Sequence, residues 1–223
     1  MRVVKEAEAR RNEILDVAEE LFGQKGFDGT STGDILGKVG IARGTLYYHF
    51  KSKEDIMDAL IERTNATILH AAQQIAEDKS IPVIDRILRA VMALNIRSGD
   101  GSSTEIMEHI HKPQNALMHQ KIQKAVIHGV PPILASIISE GIEQGIFNTP
   151  YPYECMEMVV VYATTIFDQD MVEMTEEERM SRILAFISNV ERLLGAGSGS
   201  LMSVMQMFVG AGRVEEGKGN GGE

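Results

Sequence analysis

Residues Thr30–Ile56 read TSTGDILGKVGIARGTLYYHFKSKEDI, two short helical stretches around a glycine turn. Thr32 is predicted to cap the first helix, and Ile35 and Val39 fall four apart on its inner face. Gly40 supplies the turn, and Ile41 drops into the core behind it. The second helix, Arg43–His49, concentrates hydrogen-bond donors and flat rings, while Leu46 and Phe50, four apart, point inward. This is the layout of a helix-turn-helix, in which one helix braces on the backbone and the next lies in the major groove. The partner it implies is double-stranded DNA. Arg43 opens the second helix, where a guanidinium can bond guanine O6 and N7 together. Gly44 permits close backbone approach, and Thr45 and Tyr48 can touch base edges or thymine methyls. These four are the candidate base-contacting residues.

Upstream, a first helix is expected over about Glu6–Lys25, where Ile14, Val17, Ala18, Leu21 and Phe22 form an apolar stripe. Gly26 stops it and Phe27 plugs the three-helix core. Downstream, Ser52 offers an N-cap, with Asp55 in a position like that of a capping box, for a fourth helix reaching about Glu77. Net charge is −10, with −2 carried by residues 1–63 and −8 by the remainder. The local potential on the docking face matters more for DNA than the total. Lys38, Arg43, Lys51 and Lys53 surround the motif, with Arg2, Lys5, Arg10 and Arg11 upstream.

The run GTLYYHFKSKE, Gly44–Glu54, with the helix and turn before it, resembles the DNA-binding signature of the tetracycline-repressor (TetR) family. The resemblance is strongest over residues 8–60. It implies that Thr32, Tyr47, His49 and Lys53 contact phosphate. It also implies a homodimer paired through the last two long helices, and a second domain that often holds a ligand. Three departures stand out. Leu36 and Val39 replace the usual alanines, Ala42 replaces the usual capping serine, and Gly33 and Gly37 weaken the first helix of the motif.

Beyond residue 80 every strong period is helical, so the fold class expected is all-α: an N-terminal three-helix helix-turn-helix domain plus a C-terminal helical ligand-binding and dimerisation domain. The expected division is 1–52 for DNA binding, with a helical connector from 53, then 53–195, then a tail over 196–223. The expected elements are a helix starting near Pro82, a loop over 97–103 and a helix from Thr104 to His111. A helix over Gln114–His128 precedes a break at Gly129-Val-Pro-Pro, and the next helix ends near Gly145. Two long helices come after it, Pro152–Asp170 and Thr175–Leu194, and a short apolar helix over Leu201–Val209. The single Cys155 excludes an intrachain disulfide and suits a cytoplasmic location. The charged N-terminus lacks a secretory pattern. No run of 18 uninterrupted apolar residues occurs, so no membrane partner is expected.

In the second domain Met92, Met107, Met118, Met158 and Tyr162, with Met156, are candidate linings of an apolar ligand cavity. Val159, Ala163, Ile166, Ile183, Phe186, Ile187 and Val190 form the stripes assigned to the dimer interface. His109, His111, His119 and His128 with Glu105 and Glu108 lack the spacing of a metal site, so neither metal nor cofactor is expected. No nucleophile triad, phosphate loop or dinucleotide fingerprint occurs, and no enzyme activity is expected. The function implied is a ligand-responsive transcriptional regulator. It would be a repressor that binds a palindromic operator as a homodimer and is released by a small, largely apolar inducer. The alternative is a ligand-independent DNA-binding, nucleoid-associated or partner-binding protein on the same fold.

Overall fold

A computed structural model of the chain describes residues 2–94, 115–167 and 174–205, and among these every regular element is helical. The elements are α1 (Arg2–Lys25), α2 (Thr32–Val39), α3 (Arg43–His49), α4 (Lys53–Glu77), α5 (Val83–Leu94), α6 (Ala116–Glu143), α7 (Pro152–Ile166) and α8 (Glu176–Leu194). A 3₁₀ turn, Met202–Met205, stands where a short apolar helix is expected, and residues beyond 205 lie outside the described set. The expected loop over 97–103 and helix over 104–111 also lie outside it.

The chain forms two compact units, Met1–Ile68 with Ile96–Val126, and Leu69–Asn95 with Ile127–Glu223. These are drawn differently from a division at residue 52, because the start of α4 and the start of α6 both pack into the first core. That core buries Ile14, Leu15 and Phe22 of α1, Ile35 of α2, Leu46 of α3, Ile56 and Leu60 of α4, and Met118 of α6, with Ile122 and Ala125 packed against it. Each buried aliphatic side chain contributes about 1.5–3 kcal/mol relative to exposure.

Helix ends obey local chemistry, with one shift from expectation. Ser31, not Thr32, is the N-cap of α2. Its backbone is extended, its hydroxyl accepts the Asp34 N–H, and the Asp34 carboxylate accepts the Ser31 N–H in return. Thr32 is thereby the first helical residue. Gly40 closes α2 at φ +73°, a left-handed conformation that glycine adopts without steric cost. Ala42 stands at the N-cap of α3 with no side-chain bond. At α4, the Ser52 hydroxyl accepts the Asp55 N–H, while Asp55 reaches back to the Lys51 N–H at 2.9 Å.

The break expected at Gly129-Val-Pro-Pro does not occur, and α6 runs through Pro131 and Pro132 as one helix. Each proline removes a helical donor, a cost of about 3 kcal/mol in an isolated helix interior. Burial of Val130, Ile133, Leu134, Ile137 and Ile138 on either side offsets it. Gly129 is a packing site here rather than a stop, since a Cβ there would fall 2.6 Å from Leu69 Cδ1. By length and apolar composition α6 also passes as a candidate membrane span, although no uninterrupted apolar run marks one in the sequence. It carries Lys121, Lys124 and Glu140 and supplies core side chains to both units, which reads as a core helix.

In the second unit α5 presents Val83, Arg86, Ile87 and Ala90 inward, α7 presents Cys155, Met156 and Val160, and α8 presents Ile183, Ile187 and Leu194. The Phe147 ring packs against Gly141, where a Cβ would fall 2.4 Å from it. Helix α7 runs to Ile166, with Phe167 as its C-cap donating to the Ala163 carbonyl, and the expected end at Asp170 lies outside the described residues. Thr175 and Glu178 cap α8 reciprocally.

Candidate nucleic-acid interface

The face of α3 away from the core is the candidate interface, and its presentation results from the helical period. Leu46 and Phe50 are buried, which turns Arg43, Gly44, Tyr47 and Tyr48 outward. Tyr48 is 78% exposed, far more than a packing role would leave. Its ring meets His49 edge-on at 5.0 Å. Thr45 and His49 are half-buried at the margins of this face.

Three of the expected contact residues form one cluster. The Arg43 guanidinium lies over the Tyr47 ring, 5.5 Å from its centroid. Hydrogen bonds involving Arg43 and then Thr32, with the Arg43 charge, hold the Tyr47 hydroxyl below the usual tyrosine range. The cluster spans the turn of the motif, tying the first residue of α2 to the first turn of α3.

The expected basic patch is only partly available. The Lys53 ammonium donates to the Phe27 carbonyl at 2.6 Å and sits 4.2 Å from the Phe27 ring centroid. Lys38 pairs with Glu20, Lys25 with Asp34 at 2.8 Å, and Arg10 with Glu13. Arg63 bridges Asp16 and Glu19 at 2.6 and 2.8 Å. Arg43 and Lys51 remain exposed. Arg11 lies over the Phe50 ring at 5.1 Å, a placement no local pattern announces.

Residues 14–60 match the description "Bacterial regulatory proteins, tetR family", and residues 100–189 match "Tetracyclin repressor-like, C-terminal domain". The chain belongs to the TetR family. Its members are DNA-binding transcriptional regulators rather than enzymes. The chain is 25% identical over 142 residues to the fatty acid metabolism regulator protein of Bacillus subtilis, covering 64% of this chain and 73% of that one. Over 63 residues it is 43% identical to the HTH-type transcriptional regulator AcrR of Shigella flexneri, covering 28% of this chain and 29% of that protein. That similarity spans less than a third of either protein. Among solved structures, RolR in complex with resorcinol superposes with a TM-score of 0.61 at 14% identity, covering 90% and 95% of the two chains. A likeness at that identity speaks to fold alone.

The ligand and dimer candidates are placed differently from one another. Met118 is buried in the first unit, inside the helix-turn-helix core. Met92 and Met158 are 54% and 60% exposed on the second unit, and Tyr162 is also exposed. Met107 lies outside the described residues. Met118 is thus a core residue of the first unit, whereas Met92, Met158 and Tyr162 lie at the surface of the second, where Met156 is the buried methionine of α7. Of the dimer candidates, Ile183 and Ile187 are buried within the protomer, and Val159, Ala163, Ile166, Phe186 and Val190 are half-buried. Tyr162 stacks on Phe186 at 5.2 Å, and Phe167 meets both rings edge-on. Among the described residues no group of three or more His, Cys, Asp or Glu is placed to hold a metal ion. His109, His111, Glu105 and Glu108 lie outside those residues.

Proposed function

We propose that this TetR-family chain is a cytoplasmic repressor that binds a two-fold operator as a homodimer through α3. The observation that carries the reading is the exposed Arg43–Tyr47–Tyr48 face over the buried Leu46 and Phe50. Arg43, Gly44, Thr45 and Tyr48 read base edges; Thr32, Tyr47 and His49 hold phosphates, with Lys53 beside them at the Phe27 corner. Two such faces about 34–36 Å apart enter successive major grooves. Residues 1–52, with Lys53 at the start of α4, carry the DNA contacts, and 53–195 sense a ligand and pair the protomers.

The release signal is a small, largely apolar inducer, which shifts DNA affinity only by its differential binding to the two states. A Bacillus relative named for fatty acid metabolism supports an apolar ligand. The second reading, a ligand-independent DNA-binding protein, draws support from the exposure of Met92, Met158 and Tyr162 and from the burial of Met118 in the helix-turn-helix core.

The deciding experiment is fluorescence anisotropy on a duplex selected by the protein from random-sequence DNA, run across a salt series. Arg43→Ala is expected to cost about 1–3 kcal/mol at the base it reads and to relax selectivity there. Tyr47→Phe is expected to weaken all sequences alike. Equal binding to scrambled DNA, untouched by either change, would sink the repressor reading. Release by fatty acids or phenols separates the ligand-responsive protein from the constitutive one.

A further inference from the structure

Helix α1 ends at Gly26, φ +79°, whose N–H closes the helix on the Phe22 carbonyl at 3.0 Å. That arrangement leaves the next donor, the Phe27 N–H, without a helical carbonyl. It is taken instead by Asn115 Oδ1, at 2.7 Å, from 88 residues away in sequence. Asn115 is 1% exposed and immediately precedes α6. The other side of the same residue is held by Lys53, which donates to the Phe27 carbonyl at 2.6 Å. The Phe27 backbone is therefore gripped at its N–H and at its C=O by side chains from two different parts of the chain.

The DNA-facing apparatus begins just past Phe27. Thr30 is buried, and its one hydroxyl proton is shared between the Gly26 carbonyl at 2.8 Å and the Leu21 carbonyl at 3.1 Å, which ties the corner to the end of α1 on its way to Ser31. Ser31 caps α2, which opens at Thr32, and across the turn Arg43 lies over the Tyr47 ring. Met118, one turn along α6, packs into the same core, and Lys121 pairs with Asp58. A buried amide carbonyl that captures a corner donor has a stronger structural requirement than general packing, because the donor has no water to fall back on.

We propose that Asn115 is a positioning residue for DNA binding: it sets the Phe27 corner, and through it the start of α2 at Ser31 and Thr32. It touches no DNA itself. The inference rests on the DNA-binding reading above, and goes beyond it by adding a residue from outside the helix-turn-helix.

The test uses the full-length chain as Asn115→Leu, Asn115→Ala and Asn115→Asp, the last keeping an acceptor at the same reach. Amide hydrogen exchange is monitored by NMR at Phe27 and over residues 31–34, and affinity is measured on the duplex selected by the wild type. The leucine and alanine variants are expected to lose Phe27 protection, to loosen residues 31–34, and to bind DNA about tenfold more weakly while still folded. The aspartate variant keeps the acceptor and is expected to retain more Phe27 protection than leucine or alanine, at a cost in stability from burying a carboxylate. Should leucine not fold, alanine decides. The proposal is overturned if the variants lacking the acceptor bind DNA normally. It is also overturned if affinity falls only in step with melting temperature. A wild type that selects no duplex would defeat the repressor reading instead, and exchange over residues 31–34 would still decide whether Asn115 positions α2.

Discussion

Arg86 and Glu140 form a two-bond ion pair across the second unit, Nη1 to Oε2 at 2.8 Å and Nη2 to Oε1 at 2.6 Å. It ties α5 to α6, and the Arg86 side chain, 1% exposed, also donates to the Ala76 carbonyl of α4 at 3.1 Å. Three helices are thereby pinned at one guanidinium. The Arg86 hydrogen bonds hold the Glu140 carboxyl below the usual carboxylate range.

Removing one partner leaves a buried charge uncompensated, which costs more than the pair contributes when intact. Glu140→Ala is therefore expected to lower the melting temperature by about 10 °C, whereas the apolar double change Arg86→Met with Glu140→Leu recovers most of it. Scanning calorimetry of the three chains checks this. A Glu140→Ala protein as stable as the wild type would show that the pair is not holding α5 and α6 together.

Asp34 carries a second pH-dependent contribution. The Lys25 ammonium, then the Ser31 hydroxyl and N–H, hold its carboxyl well below the usual carboxylate range. The folded state favours the ionised form, so this stability is complete above the unfolded carboxylate pKa of about 4 and drains away as pH falls below it. Melting tracked by circular dichroism between pH 6 and pH 2.5 is expected to show Asp34→Asn with a shallower acid decline than the wild type. Parallel curves would mean that the cap of α2 does not report on global stability.

Gly44 separates folding from recognition. Within the protein nothing lies within 4 Å of a Cβ built there, and the residue is helical and exposed. Gly44→Ala is expected to stabilise the fold by about 0.5–1 kcal/mol, the helical advantage of alanine. The same methyl is expected to weaken DNA binding at least tenfold by blocking backbone approach to the duplex. Urea unfolding and anisotropy together test it, and unimpaired binding would remove Gly44 from the base-contacting set.

The dimer proposal gives a paired experiment on α8. Leu184 is exposed, whereas Ile187, one turn on, is buried in the protomer. On α7, Met158, Val161 and Tyr162 are exposed in the same way. Leu184→Glu is expected to yield a folded monomer by analytical ultracentrifugation, and Ile187→Glu an unfolded or aggregated chain. A Leu184→Glu protein that still sediments as a dimer would exclude this face of α8 from pairing.

The helix-turn-helix was readable because its determinants are local. Gly40 needs only its own dihedral angles, Leu46 and Phe50 need only the helical period, and α4 ends at Glu77 where its pattern does. Local rules failed where distant packing outweighed them. Pro131 and Pro132 signal a break to any reading of neighbours alone, yet the core on both sides carries α6 through. Ser31 took the cap from Thr32 by a single residue, a margin within which either hydroxyl satisfies the sequence pattern.

The amino-acid sequence by itself determined the all-helical class, the motif, its outward residues and the family resemblance, since each depends on spacing over a few turns. Tertiary structure alone decided that Met118 belongs to the first core and that Ile183 and Ile187 face inward, because an apolar stripe does not name its partner. It also decided that Asn115 meets Phe27 and Arg86 meets Glu140. Those contacts join residues 88 and 54 positions apart. Burial, not sequence spacing, obliges a polar group to find such a partner.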